Sequence, residues 1–515
     1  MRIRFLPFLF VLSTLLLGCN LFKKTSTEVG NPYPTNLNGM AILHINDVYE
    51  IGPLEGGKVG GMARVATQFK ALQKEYFHSH LMLAGDFLSP SVMGTVRLGE
   101  NNTKVNGAQM VDIMNKTGVT HVCFGNHEFD LDEEDLQKRL DESQFTWIAG
   151  NIVQNGSSGK KSFQRKGTDL PYCQVLYVSD EKKAWTVGVL SVCLDANQKD
   201  FVHYEDIYTS AADQYQLLKE QYKADFVIAL THLNIEEDRE LARRLPQLKL
   251  IMGGHEHENH YETVGEVPIA KADANAKSAY IHRFDYDGET GKLSLKSELI
   301  LMDESIEQDP NIQQEVQQWE DTIFSAFQAQ GIDPRADVCT LKTPLDGLET
   351  HIRTQQTNLG AAIAQAMFAC YEGADAAVFN GGSVRLDDKL EGKITQYDIL
   401  RTLPFGGSIW KVSMKGEVLQ QVLDAGLQNK GSGGYLQWHR ISQEGTDWKI
   451  NGEKLVPEKE YTIVTSSFLM SGREENLDFL KEGAPGIGAI EKPTASSPAI
   501  DIRIALTTSL EKGCN

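Results

Sequence analysis

The sequence predicts an α/β fold for the first half of the chain and a mixed α+β fold for the second half. Three observations lead to this prediction. Short apolar runs alternate with longer amphipathic stretches from residue 40 onward, most of these runs end in polar residues, and the pattern changes after residue 305. Such alternation is typical of βα units around a largely parallel sheet. A chain of 515 residues is long enough for two or three domains.

The chain begins with a predicted export signal. Two arginines precede an apolar run, residues 5–17, that is too short to cross a bilayer. The sequence Leu16-Leu17-Gly18-Cys19 has the form of a bacterial lipobox, so we expect residues 1–19 to be a lipoprotein signal peptide and the Cys19 thiol to carry a lipid. The alternative is an ordinary secretory signal with an incidental cysteine. Residues 20–38 are then a tether, and the expected location is the bacterial cell envelope, periplasmic or surface-exposed.

Polar residues follow five of the six apolar runs of the first half. The runs are residues 41–45, 81–84, 122–124, 186–190, 226–230 and 248–252. The polar ends are Asn46-Asp47, Gly85-Asp86, Gly125-Asn126-His127-Glu128, Thr231-His232 and Gly254-His255-Glu256-His257. Each could be a turn residue or a core histidine. In open α/β sheets, however, ligands bind beyond the carboxyl ends of the strands, so these residues can meet in space.

The chemistry of these strand ends indicates metal binding. Carboxylate, amide and imidazole groups suit zinc, manganese or iron, and the set is larger than one catalytic ion needs. We therefore predict two divalent metal ions. The formal net charge of −20 would repel a nucleic acid, so we do not expect nucleic acid as a partner. A small anionic substrate would need local cations, either metals or arginines.

The six cysteines after Cys19 include no Cys-x-x-Cys pair, which gives no support to a zinc ribbon or a redox motif. Cys123 and Cys193 lie in apolar runs and are expected to be core thiols. An exported protein can form disulfides, but the spacing does not assign them.

The second half is predicted to begin after a linking helix. Residues 264–301 are expected to be short strands that close the first domain. Residues 311–330 are rich in Gln and Glu, with apolar residues at helical spacing. We therefore expect a first domain at 39–305, a linking helix within 306–336 and a second domain at 337–513.

Arginines and phenylalanines beside glycines mark the loops of the second half. Arg353 and Arg385 suit a phosphate or carboxylate, because a guanidinium group offers a planar fork of donors. Phe405 and Phe468 suit stacking on a flat ring. The alternatives are surface ion pairs and core phenylalanines.

The motifs and their order resemble the bacterial 5'-nucleotidase family, which includes the UDP-sugar hydrolases and the animal ecto-5'-nucleotidases. The resemblance implies an N-terminal calcineurin-like metallophosphatase sandwich of βαβ units with ligands at the strand ends, joined by a helix to a C-terminal α+β substrate-binding domain. It implies that Asp47, Asp86 and His257 hold one ion and that Asp86, Asn126, His232 and His255 hold the other. His127, oriented by Asp130, would stabilise charge on the phosphate. The implied substrate-binding residues are Arg353, Asn380, Arg385, Phe405, Phe468 and Glu474.

The activity implied by the resemblance is release of phosphate from nucleoside 5'-monophosphates or related nucleotides, by attack of a hydroxide held between the two ions. A 2',3'-cyclic phosphodiesterase, a nucleotide-sugar pyrophosphatase and a thiosulfate-ester hydrolase on the same scaffold are alternatives. A surface-binding lipoprotein with a decayed enzyme core is another.

Three positions depart from the family pattern. Tyr49 stands where the family commonly has a histidine ligand, and a phenol, which keeps its proton to about pH 10, is a poor zinc ligand beside imidazole. The first site is therefore expected to be weaker, to use Glu50 or water, or to prefer manganese or ferric iron. Glu349 replaces an arginine found in some relatives, and Glu474 lies where an aspartate would bind a sugar hydroxyl. Both departures bear on the substrate.

Overall fold

The computed structural model describes residues 36–514, apart from residues 157–158, 180–183, 288, 330 and 387. The predicted signal peptide, Cys19 and residues 20–35 of the tether lie outside the described residues. The first strand, Asn36–Ile45, begins inside the segment predicted as tether because Asn36 already pairs with Tyr76 of the neighbouring strand.

The first domain contains two six-stranded sheets. In spatial order, the first consists of Lys292–Leu301, Ser278–Asp287, Asn36–Ile45, Tyr76–Leu83, His121–Cys123 and Thr146–Ile148. The second consists of Gln174–Ser179, Ala184–Cys193, Phe226–His232, Ile251–Gly253, Val267–Lys271 and His260–Val264. The central strands are parallel, as predicted, whereas the hairpins at residues 174–193, 260–271 and 278–301 add antiparallel strands at the edges.

The two sheets pack face to face through a buried apolar layer that includes Met40, Ile42, Met82, Val187 and Ile228. Helices cover the outer faces. They are Met62–Glu75, Val92–Thr95, Ala108–Thr117, Glu133–Glu142, Ile207–Glu220 and Ile235–Arg244, with 3-10 turns at His127–Asp130 and Ala274–Ala276. Short strands in the connections are Arg97–Leu98, Thr103–Lys104, Ile152–Gly156, Gly159–Lys161, Gln164–Arg165, Thr168–Asp169 and Val202–Tyr204. This layering places the carboxyl ends of the parallel strands at one rim of the sandwich.

A helix at Pro310–Gln328 follows the first domain, within the segment predicted as the linking helix. The carboxylate of Asp309 caps its N-terminus by accepting hydrogen bonds from the backbone N–H groups of Asn311 and Ile312. Its apolar face packs against the first domain through residues such as Val316 and Ile323. Gln330, the last residue of the predicted helix, lies outside the described residues.

The second domain is α+β. Its five-stranded sheet has the order Leu436–His439, Ala376–Asn380, Glu460–Ser466, Ile409–Lys415 and Ile487–Glu491. Its helices are Glu349–Ile352, Asn358–Phe368, Gln396–Thr402, Gly416–Gln428 and Ile502–Lys512, with 3-10 turns at Gly381–Ser383 and Pro498–Ile500. The remaining strands are Asp337–Thr340, Leu345–Asp346, Lys389–Leu390, Lys393–Thr395, Ile441–Glu444, Asp447–Ile450 and Glu453–Lys454.

A disulfide joins Cys339 to Cys514 and so connects the first strand of the second domain to the end of its last helix. Cys123 and Cys193 are buried free thiols, as predicted. None of the helices in the described part of the chain has the length and apolar character needed to cross a bilayer.

Buried polar contacts join the two domains. Glu50 of the first domain accepts hydrogen bonds from the Tyr397 hydroxyl at 2.5 Å and from Arg401 Nε at 3.0 Å. Lys277 Nζ donates to Asp388 Oδ1 at 2.6 Å. These contacts join Asp388 and the helix Gln396–Thr402 of the second domain to residues next to the strands Asn36–Ile45 and Ser278–Asp287 of the first domain.

Candidate metal centre and substrate cleft

The predicted ligands lie at the carboxyl ends of neighbouring strands. Four of them, Asp47, Asp86, His255 and His257, have positive φ angles of 52°, 55°, 88° and 58°. Residues other than glycine seldom adopt this conformation because it strains the backbone, and such strained residues are often found at functional sites. The backbone is therefore bent at each strand end so that the side chains point to a common region.

Glycines allow the strand ends to approach one another closely. A Cβ atom on Gly125 would lie 2.1 Å from Asp86 Oδ1, and one on Gly254 would lie 2.3 Å from the carbonyl oxygen of Ala84. One obstacle is a buried carboxylate oxygen that accepts a hydrogen bond from the backbone of His127, and the other is a backbone oxygen, so neither could move aside. Glycine is thus required at both positions.

The first group of donor atoms contains Asp47, His257 and Tyr49. Asp47 Oδ1 lies 3.3 Å from His257 Nε2. The Tyr49 hydroxyl oxygen lies 3.0 Å from His257 Nε2, 3.4 Å from Asp47 Oδ1 and 3.3 Å from Asp86 Oδ2. Tyr49 is therefore part of this group, whereas Glu50, the other candidate at this strand end, is turned toward Arg401 and Tyr397.

The second group contains Asp86, Asn126, His232 and His255. His232 Nε2 lies 3.1 Å from Asp86 Oδ2 and 3.1 Å from Asn126 Oδ1. Ligand atoms of Asp86, His232 and His255 all lie within 4.8 Å of one another. The carbonyl oxygen of Ala84 lies 2.8 Å from His232 Nδ1 and fixes the imidazole ring, a common arrangement around metal-binding histidines.

Asp86 Oδ2 belongs to both groups. Its other carboxylate oxygen, Oδ1, accepts a hydrogen bond from the backbone N–H of His127 at 2.8 Å. This contact orients the carboxylate so that Oδ2 faces the Tyr49 hydroxyl on one side and His232 on the other. Oxygen and imidazole donors in this arrangement are chemically suited to two neighbouring cations.

The charges in the group favour cation binding. Burial would raise the pKa of Asp86, but the positive charges of His232 and His127 lower it below its usual range. Burial likewise works against the charged form of His232, but Asp86 raises the pKa of its imidazole to about 9. Burial lowers the pKa of His255 to about 3, so this ring is neutral and able to donate to a metal. In the absence of a cation, a proton on His232 compensates the carboxylates.

His127 and Asp130 form a hydrogen-bonded pair beside the two groups. His127 Nδ1 lies 2.9 Å from Asp130 Oδ2. The Asp130 carboxylate also accepts hydrogen bonds from Ser89 Oγ at 2.9 Å and Asn197 Nδ2 at 2.8 Å. Burial opposes the charge on His127, but Asp86 and Asp130 together raise the pKa of His127 to about 10. The imidazole is therefore held in place as a cation.

Glu128 stabilises the loops rather than the reacting groups. Its carboxylate accepts hydrogen bonds from four backbone N–H groups, at 2.7–3.2 Å, of Gly125, Asp86, Phe87 and Leu88. Burial and the Asp86 charge raise the pKa of Glu128 to about 7. It thus ties the loop of Asp86 to the loop of Asn126 and His127.

Lys271 supports the site but carries no clear signal in the sequence. Lys271 is fully buried, and its ammonium group donates to the carbonyl oxygens of Leu233 at 2.6 Å and Gly254 at 2.9 Å. It also pairs with Asp238 at 2.9 Å and with Glu256. Lys271 therefore supports the turn that carries His255 and His257.

Asn197 could have been found from the pattern of strand ends. The apolar run predicted at residues 186–190 extends to Cys193 in the structure, and Asn197 lies in the loop that follows it. The sixth strand end therefore contributes to the site like the other five, since Asn197 holds Asp130.

A cleft of about 430 Å³ lies between the two domains. Its lining includes Tyr49 and Asp130 from the first domain and Arg385 and Phe405 from the second. The Arg385 guanidinium carbon lies 5.5 Å from the centre of the Phe405 ring. Phe405 is 68% exposed and Phe468 is 43% exposed, so neither is a core residue.

The other predicted substrate-binding residues lie in the second domain but not among the described residues that line this cleft. Asn380 Nδ2 donates to Glu474 Oε2 at 2.9 Å, so these two predicted residues contact each other. Arg353 forms an ion pair with Glu349, the acidic residue that replaces an arginine in some relatives.

Comparisons with known proteins agree with this architecture. Residues 40–259 match the family "Calcineurin-like phosphoesterase", and residues 337–482 match "5'-nucleotidase, C-terminal domain". The chain is 25% identical to the 5'-nucleotidase of Bos taurus, over 84% of this chain and 83% of that protein. It is 27% identical to the trifunctional nucleotide phosphoesterase protein YfkN of Bacillus subtilis, over 88% of this chain, and so spans about a third of that longer protein.

The fold is similar to the crystal structure of the 5'-nucleotidase precursor from Thermus thermophilus. The TM-score is 0.66 at 22% sequence identity, and the match covers 92% of this chain and 96% of that chain. The two matching families follow the order of the two folded domains and together account for more than two thirds of the sequence. The protein therefore belongs to the 5'-nucleotidase family, with an N-terminal calcineurin-like phosphoesterase domain and a C-terminal 5'-nucleotidase domain.

Proposed function

We propose that this protein is a two-metal phosphohydrolase that releases phosphate from nucleoside 5'-monophosphates or closely related nucleotides. The observation that carries the proposal is the position of Asp86. One of its oxygens faces both groups of donor atoms, and the other is hydrogen-bonded to the backbone of His127. A carboxylate placed in this way can join two cations beside a charge-stabilising imidazole.

The proposed ligands follow from the two groups. Asp47, Asp86 and His257 hold the first cation. Asp86, Asn126, His232 and His255 hold the second. When bound, the two ions supply Lewis acidity and a water nucleophile that is activated at neutral pH.

His127 and Asp130 act on the phosphoryl group. Because Nδ1 of His127 is paired with Asp130, its other ring nitrogen, Nε2, is the atom proposed to donate to a phosphoryl oxygen or to the leaving group. Asp130 is itself fixed by Ser89 and Asn197, so the imidazole is oriented before the substrate arrives.

The second domain is proposed to bind the nucleoside. Exposed Phe405 and Phe468 offer faces for a base, and Arg385 offers a guanidinium group beside Phe405. Asn380 and Glu474, joined by a hydrogen bond, are proposed to bind a sugar hydroxyl. Arg353 is proposed to contribute less than Arg385, because Glu349 already balances its charge.

Phosphate release from a substrate panel tests the proposal. AMP, 2',3'-cyclic AMP, UDP-glucose and a thiosulfate ester are compared with the metal-loaded protein. We expect AMP to have the largest kcat/KM. A preference for the cyclic ester, the sugar-linked ester or the thiosulfate ester would support one of the other hydrolase activities. No turnover of any of them would indicate a protein that binds without catalysis.

Two variants assign the roles of the domains. His127→Ala is expected to lower kcat for AMP by about 10²–10⁴-fold, the usual loss when a general acid is removed. Phe405→Ala is expected to raise KM, since stacking of a base on an aromatic ring contributes about 1–3 kcal/mol. Tyr177→Ala is the matched control for an exposed aromatic residue outside the cleft, and it should leave both constants unchanged.

We also propose that the protein acts at the bacterial cell envelope, attached through a lipid on Cys19. The lipobox-like sequence at residues 16–19 supports this proposal. Labelling with a radioactive fatty acid should mark the wild type and not Cys19→Ser. Equal labelling of both proteins would exclude attachment at this thiol.

A further inference from the structure

Tyr49 is the residue of the site that the two-metal chemistry leaves without a role. Tyr49 is 4% exposed. Its hydroxyl oxygen lies within 3.4 Å of atoms of three proposed ligands, Asp47, Asp86 and His257. We propose that the Tyr49 phenol oxygen is itself a ligand of the first cation and that this position selects ferric iron over zinc. This inference rests on the proposed two-metal function of the site.

The distances around the phenol oxygen are those of a coordination sphere. Ligand atoms at about 2.0–2.2 Å from a cation lie about 2.8–3.1 Å from their neighbours in an octahedral arrangement and about 3.3–3.6 Å in a tetrahedral arrangement. The phenol oxygen lies 3.0, 3.4 and 3.3 Å from His257 Nε2, Asp47 Oδ1 and Asp86 Oδ2. His257 Nε2 and Asp47 Oδ1 are also 3.3 Å apart.

Hydrogen bonding alone does not account for this geometry. The phenol oxygen can accept a hydrogen bond from His257 Nε2, and the phenol can donate its one hydrogen to one carboxylate oxygen, which leaves the other carboxylate oxygen without a hydrogen from Tyr49. The separations of 3.3 and 3.4 Å from the carboxylate oxygens also exceed the usual range of about 2.5–3.0 Å for an O–H···O bond. A shared cation satisfies all three contacts at once.

The backbone holds Tyr49 in this position. Its N–H donates to Asn275 Oδ1 at 3.1 Å, and the N–H of Asn275 donates to the carbonyl oxygen of Asp47 at 2.8 Å. The Tyr49 ring contacts the His257 ring, with 5.3 Å between centroids, and the edge of the His127 ring at 6.4 Å. The phenol is therefore preorganised and would lose little entropy on binding a cation.

The charge of the group indicates the kind of cation. When the oxygen–metal bond forms, the phenol proton passes to solvent. The ion then has three anionic oxygen donors, from Asp47, Asp86 and Tyr49, and one neutral imidazole, from His257. Asp47 and Tyr49 belong to this ion alone, and Asp86 is shared with the second cation. Anionic oxygen donors of this kind suit a hard, highly charged cation better than they suit zinc.

Visible spectroscopy tests the assignment without measuring turnover. A phenolate bound to ferric iron absorbs visible light by charge transfer from ligand to metal, whereas carboxylate and imidazole ligands do not. Metal-free protein is incubated with ferric iron and zinc together. It is then separated from excess metal and analysed for both elements. We expect the wild type to bind ferric iron and to be coloured.

Three variants complete the experiment. Tyr49→Phe should be colourless with ferric iron, with an iron affinity lowered about tenfold or more. Tyr49→His should also be colourless and should bind zinc more tightly than the wild type does. Tyr177→Phe, a change at a 69% exposed tyrosine, should keep the colour. Thermal unfolding establishes that each variant is folded.

The outcomes separate this inference from the proposed function. A wild type that binds two ions and hydrolyses AMP but is colourless with ferric iron, or takes up no ferric iron, would overturn the role of Tyr49 alone. Retention of the visible band in Tyr49→Phe would do the same. A wild type that binds no metal would overturn the proposed function itself.

Discussion

Replacing Lys271 with methionine tests how the turn of His255 and His257 is supported. Lys271 is buried, and its ammonium group contacts two backbone carbonyl oxygens and two carboxylates. Methionine preserves the length and apolar stem of the side chain but removes the charge. Asp238, which is also fully buried, would then keep the hydrogen bond from Thr231 but lose its positively charged partner.

The expected loss of stability follows from the cost of an unpaired buried charge. Removing one partner of a buried ion pair typically destabilises a protein by about 3–5 kcal/mol. For a domain of this size, such a loss lowers the Tm by roughly 6–20 °C. The turn at Gly254 also loses the donor to its carbonyl oxygen, so metal affinity should fall as well.

Urea unfolding and thermal unfolding of the metal-free protein measure the loss of stability. Metal titration measures the fall in metal affinity. Lys138→Met is the matched control, because Lys138 is 45% exposed and pairs with Glu134 and Asp135 at the surface. Exposed pairs contribute about 0–1 kcal/mol. If Lys271→Met lost no more stability than Lys138→Met, the proposed support of the histidine turn would be refuted.

Two further predictions concern the metal-free and metal-loaded states. In the metal-free protein the pKa of His232 is raised from 6.5 to about 9 and that of His127 to about 10. The two protonated histidines therefore stabilise the folded state fully below pH 6.5, and this contribution is lost as the pH rises through about 9 and 10. Urea unfolding should show this decline, with a smaller slope in His232→Asn, and an equal slope in both proteins would contradict it. Gly125→Ala should abolish metal binding, because the new Cβ would lie 2.1 Å from Asp86 Oδ1. Gly513→Ala is the control and should bind metal normally, because there is open space around Gly513. Calorimetric titration with metal distinguishes the two variants.

The sequence predicted those parts of the site that follow from strand order. Asp47, Asp86, Asn126 and His232 each stand two residues after an apolar run, and parallel strands bring their carboxyl ends to one rim. Periodicity was therefore enough to predict that these residues meet. The linking helix at Pro310–Gln328 was predictable for a similar reason, because its apolar residues recur at helical spacing.

The residues that escaped prediction act through long-range packing. Lys271 belongs to an apolar strand, and nothing in its neighbourhood in sequence indicates that Asp238, 33 positions earlier, would be buried against it. Glu50 was a candidate ligand because it follows Asp47 closely. Its partner Arg401 comes from the other domain, and this contact could not be read from either segment alone.

Two positions were identified from the sequence but not explained by it. Glu128 could have been a residue at the start of a helix or a support for the ligands, and the structure shows that it accepts four backbone hydrogen bonds from the two ligand loops. Tyr49 was recognised as a departure from the family pattern. Only the three-dimensional arrangement places its oxygen between His257, Asp47 and Asp86.

Elemental analysis of the purified protein tests the two-metal site most directly. Because Asp86 Oδ2 faces both groups of donor atoms, the wild type should contain about two metal ions per chain and Asp86→Asn should lose most of both. The fold of the variant is verified by thermal unfolding. A wild type with one ion or none after metal loading, or an Asp86→Asn variant that keeps two, would contradict the account.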